Sequence, residues 1–243
     1  MQKVSVIIPT YNRFNLLMDT LKSIKSQTYK NIEIIVVNDG SKEEEYYKYD
    51  WKQNGIKIIN LEKNSKQKFG FGCAGGYQRN FGIGVAQGFY IAFCDDDDIW
   101  FPEKLSLQIA AMEKTGTKMS STEGLYGIGI YDPAKTYKKY NLEQNFAVLQ
   151  HIYKSKNSTC LENGFPDIWD LNFLRIHNCI ISSSVIIEKS IVDRVGNFDI
   201  RSTGDEDYNF WLRALAHTKC VYVNTICFYY NGSSGKNWGA EKN

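Results

Sequence analysis

The first half of the chain alternates short apolar runs with longer stretches of helical periodicity. The strand-like runs are VSVII, IEIIVV, IKIINL and FYIAFC, and between them stand helix-like segments such as FNLLMDTLKSIKSQ and YQRNFGIGVAQG. Short β-branched runs separated by helices are typical of a parallel sheet. The sequence therefore predicts an α/β fold with a mostly parallel central sheet and helices on both faces. In the first helix Leu17, Leu21 and Ile24 form the apolar stripe, and Asn12 is predicted to cap the N-terminus.

Length and charge limit the classes of protein to which the chain can belong. Its 243 residues, 43% of them hydrophobic, suffice for one large domain with a real core. The 29 Lys and Arg residues almost balance 27 Asp and Glu residues. Because the net charge is only +2, the chain lacks the strongly basic character of a nucleic-acid-binding protein.

The cellular compartment is predicted from the N-terminus and from the cysteines. The first apolar run is interrupted at Pro9 and is too short for a signal peptide, and no later run is long enough to span a bilayer. Six cysteines are scattered without a CxxC pair, which favours reduced thiols. We therefore expect a cytoplasmic protein without a transmembrane segment.

The pattern of the second half is less regular. A helix is predicted in PEKLSLQIAAMEKTG, but residues 132–176 show no clear periodicity. Regular structure returns with CIISSSVIIEKSIVDRVG as strand and helix, STGDEDYNFWLRALAHT as loop and helix, and KCVYVNTICFYY as a strand. The irregular region is interpreted as an insertion or as a segment on the acceptor side of a binding site.

Polar clusters follow the predicted strands of the first half. PTYNR follows the first strand, NDGS the second, and CDDDDIW the fourth. In open α/β sheets, ligands bind at the carboxyl ends of the strands. The three clusters are therefore predicted to converge on one edge.

The run from Asp95 to Asp98 has two interpretations. Carboxylates at a strand end can coordinate a divalent cation that also binds phosphate oxygens. Alternatively, Asp97 and Asp98 cap a helix that begins near Phe101, and the other carboxylates face water.

A second acidic group, GDEDYNFW, begins a helix more than a hundred residues later. Asp205 in this group is a fair candidate for a helix cap. A neighbouring carboxylate could instead act as a general base on an acceptor hydroxyl, if the fold brought it near a metal–diphosphate site.

The glycine motif GFGCAG, with Gly70, Gly72 and Gly75, formally matches a dinucleotide-binding fingerprint. That fingerprint requires the first glycine directly after a strand, and here EKNSKQKF separates the two. A flexible loop that leads into a helix is the favoured interpretation.

Taken together, these motifs resemble the family 2 glycosyltransferases of the GT-A fold. The resemblance runs through VSVIIPTYNR, QTYKNIEIIVVNDGS, RNFGIGVAQGFYIAFCDDDDIW, GNFD and GDEDYNFWLRA, and covers most of residues 3–115 and 180–215. It implies an inverting transfer of a sugar from a nucleoside-diphosphate donor, usually UDP-linked, to the hydroxyl of a glycan, lipid-linked or protein acceptor. Residues 1–115 would form the donor-binding half and residues 116–243 the acceptor-binding half of one domain.

The resemblance also assigns the donor-side residues. Asp95 would lie near the ribose and Asp97 on Mn²⁺ or Mg²⁺, while a shift of one position would bring in Asp96 or Asp98. Asp96 is counted with the donor-binding residues, and Asp98 is assigned to the helix that follows. The other predicted donor-binding residues are Pro9, Thr10, Tyr11, Asp39 and Arg79.

On the acceptor side, the resemblance makes Asp207 the general base, with Glu206 and Trp211 as further contacts. Three other aromatic residues are candidates for stacking on sugars, namely Tyr126, Trp169 and Trp238. Many relatives carry a histidine after the last strand that helps to hold the metal or the diphosphate, whereas this chain reads FYYNGSSGKNW. The alternatives to a glycosyltransferase are a nucleotidyltransferase and a non-catalytic module that binds nucleotide-sugar or glycan.

Overall fold

A computed structural model of the chain describes residues 1–73, 75–201 and 204–233. The strands are β1 (Val4–Thr10), β2 (Ile32–Asn38), β3 (Ile56–Asn60), β4 (Tyr90–Phe93), β5 (Ile99–Trp100), β6 (Met119–Gly127), β7 (Lys138–Lys139), β8 (Ile168–Trp169), β9 (Ile186–Glu188) and β10 (Cys220–Asn231). The α-helices are α1 (Phe14–Lys25), α2 (Glu45–Lys48), α3 (Ser65–Phe69), α4 (Gly76–Val85), α5 (Lys104–Thr115), α6 (Phe146–Ser155), α7 (Leu171–Leu174), α8 (Lys189–Val195) and α9 (Glu206–Leu215). A π-helical turn (Tyr140–Gln144) and a 3-10 turn (Ser182–Ser184) complete the described elements.

The strands form one sheet in the order β3-β2-β1-β4-β9-β6-β10-β5, with β7 beside β6 and β8 beside β10. Strands β3, β2, β1 and β4 are parallel, as are β6 and β10, whereas β9 runs antiparallel to both β4 and β6. The predicted α/β fold with a mostly parallel sheet is therefore confirmed. Because β1, β2 and β4 are parallel neighbours, the polar residues that follow them meet at one edge.

Both faces of the sheet are buried, which explains the continuous apolar runs. Along β1, Ile7 packs into one core cluster, whereas Val6 and Ile8 pack into the cluster on the other face. Successive strand residues point to opposite faces, so each face needs its own cover of helices.

Helix α1 forms where the periodicity predicts, and Leu17, Leu21 and Ile24 are buried as expected. The prediction that Asn12 caps this helix is wrong. Asn12 lies in the left-handed region at φ 50°, and its Oδ1 accepts a hydrogen bond from the backbone N of Lys42. The first helical amide, that of Phe14, donates instead to Oε2 of Glu43 at 2.9 Å.

The region that shows no clear pattern, residues 132–176, contains short elements. It holds β7, the π-helical turn, α6, β8 and α7. The strand predicted from Cys179 onward is wrong over residues 179–185. This stretch contains the 3-10 turn (Ser182–Ser184) but no strand, and β9 begins only at Ile186. This turn becomes part of the site.

Strand β9 connects the two halves of the sheet because it pairs with β4 on one side and β6 on the other. The division into a donor-binding and an acceptor-binding half stays a prediction.

All six cysteines lie in the described ranges and carry free thiols. In the part of the chain that the structure describes, no helix is long and apolar enough to cross a membrane.

Candidate active site

The four consecutive aspartates lie between β4 and β5, and their side chains differ in exposure. The side chain of Asp95 is 32% exposed, whereas Asp96, Asp97 and Asp98 are buried. Buried carboxylates repel one another and lose hydration, so they require cationic or hydrogen-bonding partners. The partners come from distant parts of the chain.

Arg13, directly before α1, pairs with two of the buried carboxylates. Its Nη1 lies 3.2 Å from Oδ1 of Asp96 and 3.2 Å from Oδ2 of Asp97. Burial raises the pKa of Asp96 to about 7, and the charge of Arg13 opposes this increase. Arg13 is the last residue of the PTYNR cluster, but no sequence motif indicates its pairing with these carboxylates. Asp96 is thus paired with Arg13, and its role in donor binding stays a prediction.

Asp98 contacts the end of β10, so its assignment to the following helix is wrong. Its Oδ1 accepts a hydrogen bond at 2.9 Å from the backbone N of Asn231, 133 residues away. Strand β5 intervenes before α5, and no side chain caps that helix among the described residues. Asn231 also donates from Nδ2 to Oδ2 of Asp97 at 3.4 Å. An amide at the end of β10 therefore contacts two aspartates of the acidic run.

Arg79 on α4 connects the two acidic groups. Its Nη2 lies 2.5 Å from Oδ1 of Asp95, and its Nη1 lies 3.9 Å from Oε1 of Glu206. Burial raises the pKa of Glu206 to about 7 and also raises the pKa of Asp207, while the charge of Arg79 opposes both shifts. The structure thus brings together Arg79, Asp95, Glu206 and Asp207, and their roles stay predictions.

Two glycines let α4 begin against these charged side chains. Gly75 has a φ of 91°, and a Cβ there would lie 2.9 Å from Nη1 of Arg79. A Cβ on Gly76 would lie 2.9 Å from Cγ of Glu206. The start of α4 therefore has no room for a side chain at either position.

The charged residues open into a cleft of about 500 Å³. Its lining comes from both halves of the chain and comprises Gly72, Arg79, Asp95, Tyr140, Asn178, Ile180, Ile181, Ser182, Gly204, Glu206, Asp207 and Tyr230. Ser183, next to the lining, accepts a hydrogen bond on Oγ from the backbone N of Asp95 at 2.9 Å. The 3-10 turn therefore helps to fix the residue that carries the exposed carboxylate.

The residues predicted for the nucleoside lie along the same sheet edge but do not line this cleft. Pro9 and Thr10 are buried at the end of β1, where Thr10 Oγ1 lies 2.5 Å from the hydroxyl of Tyr46. The hydroxyl of Tyr11 accepts a hydrogen bond from Asn64 Nδ2 at 3.1 Å.

Asp39, also predicted for the nucleoside, binds the N-terminus of α3. Its carboxylate accepts hydrogen bonds from the backbone N of Ser65 at 3.0 Å and from Ser65 Oγ at 2.9 Å. Desolvation raises the pKa of Asp39, and the bonds from Ser65 oppose the shift. Asp39 is 3% exposed, and both oxygens of its carboxylate accept hydrogen bonds from Ser65.

Trp211 does not fit the predicted acceptor contact. Its side chain is fully buried and its ring centroid lies 5.9 Å from that of Phe93 and 5.4 Å from that of Phe210. Among the other aromatic candidates, Trp169 is also buried, and Trp238 lies outside the described residues. The apolar face of α9 thus provides core packing rather than a sugar platform.

The carboxylates do not form a complete metal cage. Within residues 1–73, 75–201 and 204–233, no group of three or more His, Cys, Asp or Glu side chains is arranged to hold a metal ion. Mg²⁺ sites often use one or two carboxylates and take their other oxygens from water and substrate phosphates. Of the two predicted ligands, Asp95 is partly exposed in the cleft, whereas Oδ2 of the buried Asp97 contacts Arg13 and Asn231.

The sequence profile described as Glycosyl transferase family 2 matches residues 5–176. The Escherichia coli protein named UDP-Glc:alpha-D-GlcNAc-diphosphoundecaprenol beta-1,3-glucosyltransferase WfaP is 32% identical over 244 residues, covering 97% of this chain and 79% of WfaP. The uncharacterized glycosyltransferase RP339 of Rickettsia prowazekii is 33% identical over 211 residues, covering 86% of this chain and 58% of RP339.

Similarity to a solved structure agrees with the fold. S. aureus TarS residues 1–349 in complex with UDP-GlcNAc align with a TM-score of 0.68 at 20% identity, covering 94% of this chain and 58% of TarS 1–349. The chain therefore spans less than two thirds of both RP339 and the solved TarS chain. On the evidence of the profile match, the relatives and the GT-A architecture, this chain belongs to glycosyl transferase family 2 and is a glycosyltransferase.

Proposed function

We propose that the enzyme transfers a sugar from a nucleoside diphosphate, most specifically UDP, to an acceptor hydroxyl with inversion at the anomeric carbon. The observation that carries the proposal is the shared cleft, where Asp95 and Arg79 meet Glu206 and Asp207. A diphosphate leaving group needs charge stabilisation, and an attacking hydroxyl needs a base. The cleft offers residues for both tasks.

Asp207 is the proposed general base. It lines the cleft at the start of α9, and its Oδ1 accepts a hydrogen bond from the backbone N of Tyr208 at 2.5 Å. This bond orients the carboxylate. Asp207 takes the proton of the acceptor hydroxyl as the oxygen attacks the anomeric carbon, the bond from that carbon to the diphosphate breaks, and the diphosphate leaves with the electron pair. One displacement inverts the configuration, so no carboxylate forms a covalent intermediate.

The donor side is proposed to use Mn²⁺ or Mg²⁺ held by Asp97 and Asp95. Carboxyl groups outnumber guanidinium groups near the cleft. Arg13 pairs with Asp96 and Asp97, and Arg79 pairs with Asp95 and Glu206, while Asp207 adds a fifth carboxyl group. This excess would repel a bare diphosphate, whereas a divalent cation reverses the local charge. When bound, such a cation supplies electrostatic stabilisation of the charge that develops on the leaving diphosphate.

Pro9, Thr10, Tyr11, Asp39 and Asp96 remain the proposed donor-binding residues at the ends of β1, β2 and β4. Support comes from the parallel pairing of these strands, which aligns their carboxyl ends. Residues 1–115 would then bind the donor and residues 116–243 the acceptor.

The first acceptor to assay is a lipid-diphosphate-linked N-acetylglucosamine with UDP-glucose as donor, because the name of WfaP specifies this reaction for that protein. Glu206 is kept as an acceptor-side residue because it lines the cleft beside Asp207. A cytoplasmic location is proposed on the strength of the six free thiols.

The proposal is tested by measuring binding and turnover of a panel of UDP, GDP and TDP sugars, with and without Mn²⁺. We expect UDP release that depends on both the donor and the acceptor, and a product of inverted configuration by NMR. Absence of binding to every nucleotide-sugar would refute the proposal. Release of pyrophosphate from a nucleoside triphosphate and a sugar phosphate would instead assign the protein as a nucleotidyltransferase.

A further inference from the structure

An unbroken row of aromatic rings lies on the surface beside α4. We use the name aromatic strip for the four rings of Phe69, Phe71, Tyr77 and Phe81 together with Val85, which is the next residue on the same face of α4. The ring centroids lie 5.9 Å apart for Phe69 and Phe71, 5.0 Å for Phe69 and Tyr77, and 5.0 Å for Tyr77 and Phe81. Tyr77, Phe81 and Val85 recur every four residues, so they share one face of the helix.

This face is exposed, although the opposite face of α4 is buried. Phe71 is 36% exposed, and Phe81 and Val85 are each 38% exposed. On the same helix, Arg79 and Ile83 point inward and are 3% and 8% exposed. Phe69 and Tyr77, whose rings lie between those of Phe71 and Phe81, are half-buried. A continuous row of apolar side chains with exposed members differs from single exposed apolar residues and indicates an interaction surface.

Lysines flank the aromatic strip. Lys63, Lys66 and Lys68 are exposed in the segment that leads into it. Lys68 Nζ lies 2.6 Å from the hydroxyl of Tyr77 and 5.5 Å from the ring centroid of Phe69. Aromatic rings beside cationic side chains are typical of surfaces that lie at the headgroup level of a bilayer.

The aromatic strip begins at the rim of the cleft. Phe71 is followed directly by Gly72, which lines the cleft, and α4 carries Arg79 on its inner face and Phe81 on its outer face. A surface that contacted the aromatic strip would therefore lie next to the cleft opening.

We propose that the aromatic strip and its lysines dock the enzyme on an anionic lipid bilayer. Charge favours this occupant over a second copy of the chain, because a twofold dimer through this face would bring the lysines of both copies close together. An anionic headgroup layer is complementary to the lysines, and its boundary with the acyl chains accommodates the rings. Docking goes beyond the transfer reaction and does not depend on the donor or acceptor.

The experiment is co-sedimentation of the purified protein with phosphatidylcholine vesicles, with and without phosphatidylglycerol, in the absence of any nucleotide. We expect binding to the anionic vesicles, weakened at high salt. Phe71→Ser and Phe81→Ser should each weaken the partition about tenfold. Lys63→Gln and Lys66→Gln should each weaken binding to anionic vesicles roughly fivefold.

The matched control is Val148→Ser on α6, which removes an apolar side chain that is 61% exposed at another place. It should leave vesicle binding unchanged, and circular dichroism should verify that each variant is folded. The proposal is overturned if the wild-type protein does not bind anionic vesicles, or if the Phe and Lys variants bind as tightly as it does. A dimer in sedimentation velocity that Phe81→Ser dissociates would assign the face to a second copy and would also overturn it.

Discussion

Arg79 donates a hydrogen bond from Nη2 to Oδ1 of Asp95 at 2.5 Å, and this contact joins α4 to the end of β4. Arg79 is 3% exposed, so removal of its charge leaves carboxylates without their counterion in a poorly hydrated place. We expect Arg79→Met to lower the free energy of unfolding by about 3 kcal/mol and to weaken UDP binding. Urea denaturation and UDP titration measure the two effects. Arg79→Lys keeps the charge without the planar fork and should lose less stability; a Met variant as stable as the wild type would contradict the expectation.

Replacement of Asp207 tests the general base directly. Asp207→Asn keeps the size of the side chain but cannot accept the proton, so we expect kcat to fall by about a hundredfold or more with UDP affinity nearly unchanged. Steady-state transfer rates and UDP titration measure the two quantities. The matched control is Asp205→Asn, an exposed carboxyl two residues earlier at the helix N-cap. An equal loss of kcat in both variants would indicate that transfer depends only on negative charge near the start of α9, and not on a base at Asp207.

Metal binding is expected to depend on the nucleotide, because the carboxylates form an incomplete donor set. Titration with Mn²⁺ should show weak binding to the protein alone and at least about tenfold tighter binding when UDP is present. Asp97→Asn should remove the increase in Mn²⁺ affinity that UDP gives. The matched control, Asp193→Asn on α8, changes a side chain that is 57% exposed and should leave this increase unchanged. We expect EDTA to lower transfer and added Mn²⁺ to restore it. Tight Mn²⁺ binding without UDP would contradict this prediction.

The buried carboxyl of Glu206 makes stability depend on pH. Its pKa rises from 4.5 to about 7 in the folded protein, so the folded state holds a proton that the unfolded state has lost between these values. Stability from this group therefore falls as pH rises from 4.5 to 7. Glu206→Gln should gain stability relative to the wild type by up to about 1.4 kcal/mol for each pH unit in that interval. Urea denaturation at several pH values measures the difference, and a constant difference would be inconsistent with the shift.

The buried Lys104 on α5 should affect the pH dependence of stability in the opposite direction. Burial lowers its pKa from 10.5 to about 7, and its Nζ contacts Oε1 of Gln108 at 2.5 Å and the ring of Trp100 at 4.2 Å from the centroid. Between pH 7 and 10.5 the unfolded state binds the extra proton, so the contribution of Lys104 to stability increases with pH. Lys104→Met should flatten the rise in Tm between pH 7 and 9. An equal rise in Tm between pH 7 and 9 in the wild type and in the Lys104→Met variant would mean that Lys104 stays charged when buried.

Local patterns predicted the strands of the sheet because hydrophobic period and residue type depend only on neighbouring residues. Period and β-branching located β1, β2 and β4, and the rule that ligands bind at the carboxyl ends of strands pointed to Asp95. The same reasoning failed for Asp98, because an aspartate before a helix resembles a cap whether or not a distant strand takes its carboxylate. Its partner is the amide of Asn231, 133 residues away, and no spacing reveals such a pairing.

The burial of Trp211 is a second feature that local patterns do not reveal. Aromatic residues serve both cores and sugar sites, and the helical period gives the face of α9 but not the element that packs on it. Phe93 from β4 covers that face. The irregular stretch 132–176 hid the π-helical turn, whose first residue, Tyr140, lines the cleft.

The close fit of Gly75 and Gly76 against Arg79 and Glu206 affects how the enzyme can be redesigned. A methyl group at either position would lie within 2.9 Å of a residue that joins the two acidic groups, so even alanine would push the pair apart. Libraries aimed at new donor or acceptor preference should therefore leave both glycines unchanged. The cleft wall formed by Tyr140, Asn178 and Tyr230 offers a better starting point, because these side chains line the cavity and carry neither of the carboxylates that pair with Arg79.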